Sequence, residues 1–350
     1  MLDLSQAVIS RLAIHRVGNK VQDEEAIVSS KLADVTPELE TILVDFFTKP
    51  FKGEINYKFT HPTELEHNDI YTYAKAVFWD EKELYAQSVN ILKHIHHNCT
   101  HPNIKAGEVF VVLFKNCILD DEPLEAIGIF KNEHKDTFLS FRNETDGLET
   151  DPLIGVSLKK LDKGCIIFNS EEDTGYRVLA VEASGKDSVY WFDDVLKIVE
   201  EADENTYTRD ALYLCNTYGK EVLATSEGGK KDEVLFMKST LDYFAKADTF
   251  EMGEFADHVI NDEDYTAKFK EHCKKIEERL DRKLENDFSI SKPMLKRQKA
   301  LFKNVIKLDT NIQIALNFDN LESGQRFIQR GYDEETKMSF YKVYFNEELG

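Results

Sequence analysis

Long apolar runs are missing from this sequence. No segment approaches the ~18 uninterrupted apolar residues of a membrane-spanning helix, so no membrane span is expected. The N-terminus sets an acid, Asp3, ahead of any base and lacks the positive start and apolar core of a secretory signal. The cytoplasm is therefore the expected compartment. Cysteine is sparse and scattered: Cys99, Cys117, Cys165, Cys215 and Cys273 are odd in number, and none forms a CxxC pair. That excludes a disulfide framework and a zinc ribbon and points to reduced, buried thiols. With 7 Pro and 16 Gly the chain has too few breakers for long flexible linkers. There is no internal repeat and no low-complexity tract.

Nucleotide and hydrolase signatures are missing as well. Gly228-Gly229-Lys230-Lys231 resembles the end of a P-loop, but position 224 is Ala and no Ser or Thr follows the lysines. No GxGxxG follows a strand, and GxSxG, HExxH and EF-hand loops are absent. No cofactor is expected.

What is present is a 42% hydrophobic chain of 350 residues, enough for one large or two ordinary domains with real cores. It has 65 acids against 44 bases, a net charge of -21. Such a charge repels nucleic acid and acidic lipid at long range, so any DNA-binding reading needs a local exception.

The first 200 residues alternate helix and strand patterns. Thr36 and Pro37 open an amphipathic helix to Phe47, and Glu81 to His97 forms a second. Val109 to Lys131 reads as a β-hairpin turning at Asp120-Asp121-Glu122-Pro123. Strands follow at Thr137–Phe141, Leu153–Leu158, Cys165–Asn169 and Tyr176–Val181, giving an antiparallel meander. From about Asn205 the period lengthens, with helices expected at Asp210–Leu223, Glu233–Ala247 and Tyr265–Leu284, the last laced with mutually offsetting charges. Ile306, Leu308, Ile312, Ile314, Leu316 and Phe318 then alternate with polar residues as a half-buried strand or hairpin. A final hairpin runs from Arg326–Arg330 through Gly331–Lys337 to Met338–Phe345. The expected class is α+β: an antiparallel sheet with packed helices, then a helical segment and C-terminal hairpins. The change of period sets a domain boundary near residue 200, giving domains 1–200 and 201–350; Ser226-Glu227-Gly228-Gly229 is the competing boundary.

Two constellations could carry chemistry. His94, His96, His97, Cys99 and His101 have zinc-ligand chemistry, and His94, His97 and His101 would share a helix face if the helix passed Pro102. Solvated or locally bonded histidines are the plainer reading. Paired carboxylates, Asp120-Asp121, Asp193-Asp194 and Glu200-Glu201, could serve a metal-dependent nuclease, although such pairs arise by chance in so acidic a chain.

A further candidate is the local exception in charge. Phe288 to Leu308 holds no acid and six bases: Lys292, Lys296, Arg297, Lys299, Lys303 and Lys307. Ser291 and Pro293 suit a helix start, which places Lys296, Lys299 and Lys303 above one another, with Leu295 and Phe302 on an anchoring face. Lys307 falls on the wet face of the following strand. A row of cations on an anchored helix suits contact with duplex phosphates, and remote carboxylates are screened beyond ~8 Å at physiological salt. Pairing with an acidic domain or subunit is the alternative. Nothing in the segment is built to read base edges.

Three segments then carry a resemblance. Ala126-Ile127-Gly128-Ile129-Phe130-Lys131, Tyr190-Trp191-Phe192-Asp193-Asp194 and Val305 to Ile314, in that order and with the Leu84–His97 helix ahead of them, resemble the NdpA-like family of bacterial nucleoid-associated proteins. The resemblance runs through most of the chain. It implies a non-enzymatic protein at the nucleoid, with double-stranded DNA as partner and no catalytic residues. Recruitment through a DNA-bound nucleoid protein is the alternative, and a homodimer would double the basic face.

Overall fold

Six successive apolar residues, Val109 to Phe114, form the middle of a strand covered on both faces, which is why they show no polar alternation. The computed structural model describes residues 2–51, 55–183, 189–302, 304–316 and 326–347. The chain is α+β and divides into two compact units, Met1–Glu201 and Ala202–Gly350.

The first unit contains β1 (Leu2–Asp3), β2 (Val8–Val17), α1 (Pro37–Thr48), β3 (Tyr57–Phe59), α2 (Asp69–Trp79), α3 (Leu84–His97), β4 (Gly107–Leu119), β5 (Glu122–Asn132), β6 (Lys135–Glu144), β7 (Gly147–Val156), β8 (Lys163–Phe168), β9 (Arg177–Glu182) and β10 (Ile198–Glu200). An antiparallel sheet runs in the order β1-β4-β5-β8-β9-β3-β10, and β2 also pairs with β4. Val109, Val111 and Leu113 of β4 face Ile70, Ala74, Ile91 and Ile95 of α2 and α3. Phe110, Val112 and Phe114 face Leu43, Phe46 and Phe47 of α1, where Phe47 stacks on Phe130 at 4.2 Å. Gly128 makes room for that ring, because a Cβ there would collide with Phe130 and Phe114. Asp120 and Asp121 both take left-handed backbone (φ 51° and 67°), the conformation of a two-residue hairpin turn, which Asp tolerates.

Three features depart from the sequence reading. The strands do not form one continuous meander: β6 and β7 leave the sheet as a separate two-stranded ribbon, and β8 returns to pair with β5. Tyr190–Asp194, whose short polar and aromatic run suggests a turn, belongs to a short wide helix, Tyr190–Leu196, with Tyr190, Trp191, Val195 and Leu196 buried. Helix α2 was unread, because Tyr71, Tyr73, Phe78 and Trp79 are weak helix formers; Asn68 caps it and burial of Ile70, Tyr71, Ala74 and Val77 holds it.

A buried charged set crosses three strands of this sheet. Lys131 lies directly opposite Lys163, and Lys163 opposite Glu182. Glu133 reconciles the two lysines, its Oε1 accepting from Lys131 Nζ at 2.7 Å and from Lys163 Nζ at 2.9 Å. Lys131 also donates to the Lys105 carbonyl at 2.6 Å. Burial pulls the Lys131 ammonium below its ordinary value, and Glu133 opposes that shift.

The second unit contains α4 (Glu204–Glu221), α5 (Lys230–Lys246), β11 (Thr249–Glu251), α6 (Met252–Phe255), α7 (Glu263–Leu280), β12 (Asp287–Ser289), α8 (Lys292–Gln298), β13 (Val305–Lys307), β14 (Gln313–Ala315), β15 (Ile328–Asp333) and β16 (Met338–Val343). Its core is aromatic: Tyr218, Phe236, Phe244, Phe250, Phe255, Phe269 and Phe288. Phe250 and Phe288 face each other across the β11–β12 pair and stack at 4.9 Å. Helix α7 buries Phe269, His272 and Ile276; on its outer side Lys275 pairs with Glu271 at 2.8 Å, and Arg279 reaches Glu221 of α4 at 2.7 Å. A smaller core joins Val234, Ile306, Leu316 and Ile328. The period-2 pattern is a hairpin, β13–β14: Ile306 and Leu316 are buried, whereas Ile312 sits exposed beside the turn. Phe318 lies outside the described residues.

Three histidines are held below their ordinary value of 6.5, chiefly by burial: His15, His94 and His272. His15 shows the geometry. Its Nδ1 accepts from the Ser29 N–H at 3.2 Å and its Nε2 meets Ser88 Oγ at 2.9 Å, an arrangement that suits a neutral ring. The unfolded chain therefore takes up these protons first as pH falls. Stability from the neutral rings is complete above pH 6.5 and is lost as pH drops below it. Urea midpoints at about pH 7.5 and about pH 5 should differ, lower in acid, and His15→Gln should reduce the difference. Equal midpoints at the two pH values contradict this account.

Candidate nucleic-acid interface

Helix α8 begins where the sequence places it. The Ser291 side chain accepts from the Met294 N–H, and Pro293 occupies the first turn. Ser291 also fastens the helix to α4: its N–H donates to Thr208 Oγ1 at 2.9 Å and its hydroxyl donates to Asn205 Oδ1 at 2.6 Å. Met294 and Leu295 are buried. The regular helix ends at Gln298, and Lys299–Leu301 continues as a tighter turn. The expected stack of Lys296, Lys299 and Lys303 on one continuous helix is therefore shortened; Lys303 lies outside the described residues.

The basic residues divide by what they touch. Lys292 closes the C-terminal end of α5: its ammonium donates to the carbonyls of Phe244 at 3.1 Å and Ala245 at 3.2 Å, and also to that of Ala247, with Asp248 at 3.9 Å. A cation at a helix C-terminus satisfies open carbonyls and the helix dipole, so this lysine has a structural duty. Lys296, Lys299 and Lys307 are exposed and have no ion-pair partner among the described residues. Arg297 is also exposed; partial burial lowers it from its ordinary value, and a guanidinium stays charged at neutral pH.

Lys292, Lys296 and Lys299 stand along a cleft of about 620 Å³ between α8 and α5. Met237, Leu241, Leu295 and Phe302 contribute apolar walls, and Lys238 and Asp242 line the α5 side, paired with each other at 3.1 Å. Lys238 was not singled out in the sequence, because an i,i+4 acid partner makes it look like an ordinary solvated pair.

The histidine cluster does not assemble. His94 bonds the Val195 carbonyl through Nε2 at 2.9 Å and faces Asp69 at 3.2 Å. His96 bonds the Glu24 carbonyl at 3.0 Å, and His101 Nδ1 accepts from the Asn103 N–H at 3.2 Å. The helix ends at His97, so His101 never reaches its face. Among the described residues no three His, Cys, Asp or Glu side chains gather into a group able to hold a metal. The paired acids have other surroundings: Asp120 pairs with Arg177, and Glu201 with Lys58 at 3.0 Å.

Two of the segments behind the resemblance, the end of β5 and Tyr190–Asp194, meet inside the first unit. The Lys131 ammonium lies 5.6 Å from the centre of the Tyr190 ring, and the Trp191 Nε1–H donates to the Gly164 carbonyl at 3.3 Å. A family model described as nucleoid-associated protein YejK matches residues 13–338. The chain belongs to this family. The match spans both compact units and takes in the Lys131–Tyr190 contact and the whole of the acid-free segment. No curated protein matches the chain. Membership makes this a nucleoid-associated protein, and among the described residues no helix is long and apolar enough to cross a membrane.

Proposed function

We propose that the protein is a non-enzymatic DNA-binding component of the bacterial nucleoid, which holds duplex phosphates without regard to base sequence. The observation that carries this reading is the exposure of Lys296, Arg297, Lys299 and Lys307 in an acid-free segment, the first two on a helix anchored through Met294, Leu295 and Ser291, Lys299 on the turn that follows and Lys307 on β13. Lys303 belongs to the set on sequence grounds. Lys292 serves the set by fixing α8 against the end of α5. Membership in a nucleoid-associated family supports reading the partner as duplex phosphate rather than an acidic protein. The surrounding negative charge then limits the contact to this one segment and keeps it weak at long range.

Gel-shift titration across salt tests the reading. With about four phosphates engaged, log K should fall against log salt with a slope near -4, equally for unrelated duplex sequences. A flat dependence overturns it. The apolar walls of the neighbouring cleft favour a second reading, recruitment through a DNA-bound protein. In that case purified protein leaves DNA unshifted, while capture of the nucleoid partner survives nuclease digestion.

A further inference from the structure

The β6–β7 ribbon has no buried residue and has two unlike faces. Its register pairs Phe138 with Leu153, Ser140 with Asp151 and Arg142 with Glu149 on one face. That face holds the Arg142–Asp151 ion pair, and Phe138 covers Gly155. The other face pairs Thr137 with Ile154, Leu139 with Pro152, Phe141 with Thr150 and Asn143 with Leu148. These eight positions hold no charge. Leu139 (59%), Phe141 (62%), Leu148 (69%) and Ile154 (72%) are nonetheless largely exposed.

The root of the ribbon is held firmly. The Asn132 amide donates to the Ser157 carbonyl at 2.8 Å and the Ser157 N–H to the His134 carbonyl at 3.0 Å. Asp162 accepts from the backbone N–H groups of Glu133 and His134 at 2.6 and 3.0 Å. Lys135, the one charge at the foot of the apolar face, pairs with Glu108 at 2.6 Å. The ribbon is thus aimed outward by design of its base, although an isolated two-stranded ribbon is marginal in water until its apolar face is covered.

We propose that this face packs on the same face of a second copy of the chain, making the ribbon a dimerisation arm. Charge selects the occupant. Between residues 135 and 156 there are two bases and five acids, so the ribbon repels phosphate. A basic partner would seek the charged face, and the apolar one offers it nothing. Two copies of a chain carrying -21 repel each other wherever carboxylates meet, and this face has none. Two-fold packing of a face on itself buries the same side chains from each copy and closes the assembly at two. The area sets the strength. A ribbon of ten residues at ~3.4 Å each and roughly 10 Å wide covers about 340 Å² per copy, well short of the ~800 Å² of a stable interface. The dimer should therefore be reversible and concentration-dependent.

Sedimentation of the full chain from about 1 to 200 μM reads this directly. The weight-average mass should climb from 40.4 kDa towards twice that value. The variant Leu139→Ser, Phe141→Ser, Leu148→Ser, Ile154→Ser should stay at the monomer mass with an unchanged circular-dichroism spectrum. A control on the charged face, Arg142→Ser with Asp151→Ser, should still dimerise. A monomer at every concentration overturns the proposal, as does a dimer that the four-serine variant retains or a mass that climbs past two copies. Should the four-serine variant misfold, an Ile154→Cys chain under oxidation keeps the question open to test: a disulfide-linked dimer supports the proposal, and none contradicts it.

Discussion

Lys131→Met should lower the stability of the first unit by about 3–5 kcal/mol, the cost of breaking a buried ion pair by removing one partner. Lys131, Lys163, Glu133 and Glu182 form a neutral buried set, in which the Lys131 side chain has no exposure and Glu133 only 6%. Removing one ammonium leaves two carboxylates with one lysine where solvent cannot compensate. It also strips the Lys105 carbonyl of its donor. Methionine fills the volume of the aliphatic stem, so the loss is electrostatic rather than a cavity. For a unit of this size the melting temperature should fall by roughly 6–20 °C. Glu133→Gln added to Lys131→Met should recover part of that loss, because Lys163 and Glu182 then remain as a balanced pair. A single variant within about 1 kcal/mol of the parent, or a double variant worse than the sum of both singles, contradicts the network. Urea unfolding followed by tryptophan fluorescence reports the right region, since Trp191 lies in the same core.

Charge reversal at Lys296, Arg297 and Lys299 is the second large effect. Each phosphate contact contributes ~0.9 to the salt slope, so the triple glutamate variant should flatten the slope by about 3. At ~0.15 M salt, three lost counterion-release contacts amount to roughly a 100-fold weakening, the same for every duplex sequence. Stability should change little, because Lys296 and Lys299 are exposed and make no ion pair among the described residues, and Arg297 is exposed and only partly buried. Lys292→Glu is the contrasting case. It sets a carboxylate against the open carbonyls of α5, so it should lower the melting temperature as well as DNA affinity. If the triple variant binds DNA as tightly as the parent, the surface is wrong even where the salt slope is steep, and the phosphate contacts lie elsewhere.

Much of the site was legible because its signals are local. Ser291-Lys292-Pro293 is a helix start by side-chain chemistry, and the structure uses it as one. The absence of acids from Phe288 to Leu308 needs no coordinates to be seen. Lys292 was not separable from its neighbours in the sequence, since its three carbonyl partners lie 45–48 residues away at the end of α5. The same distance hid the Lys131 set. In sequence Lys131 closes the Val109–Lys131 hairpin and Lys163 precedes the strand expected from Cys165, and nothing local links the two. Strand register alone places them face to face in the core.

Periodicity, caps and turn residues determined the class of the fold, the β4–β5 hairpin, the α1 and α3 helices and the acid-free segment, because each depends on residues within a turn or two of one another. Tertiary structure decided the rest. It determined which strands stay in the sheet and which leave it as a ribbon, that Tyr190–Leu196 winds into a buried helix, and that His101 stays off the face shared by His94 and His97. It also determined that Lys292 closes the end of α5 while Lys296, Lys299 and Lys307 stay exposed. Those outcomes rest on pairings between residues far apart in the chain, and no local pattern of side chains encodes which distant carbonyl or carboxylate a lysine will find.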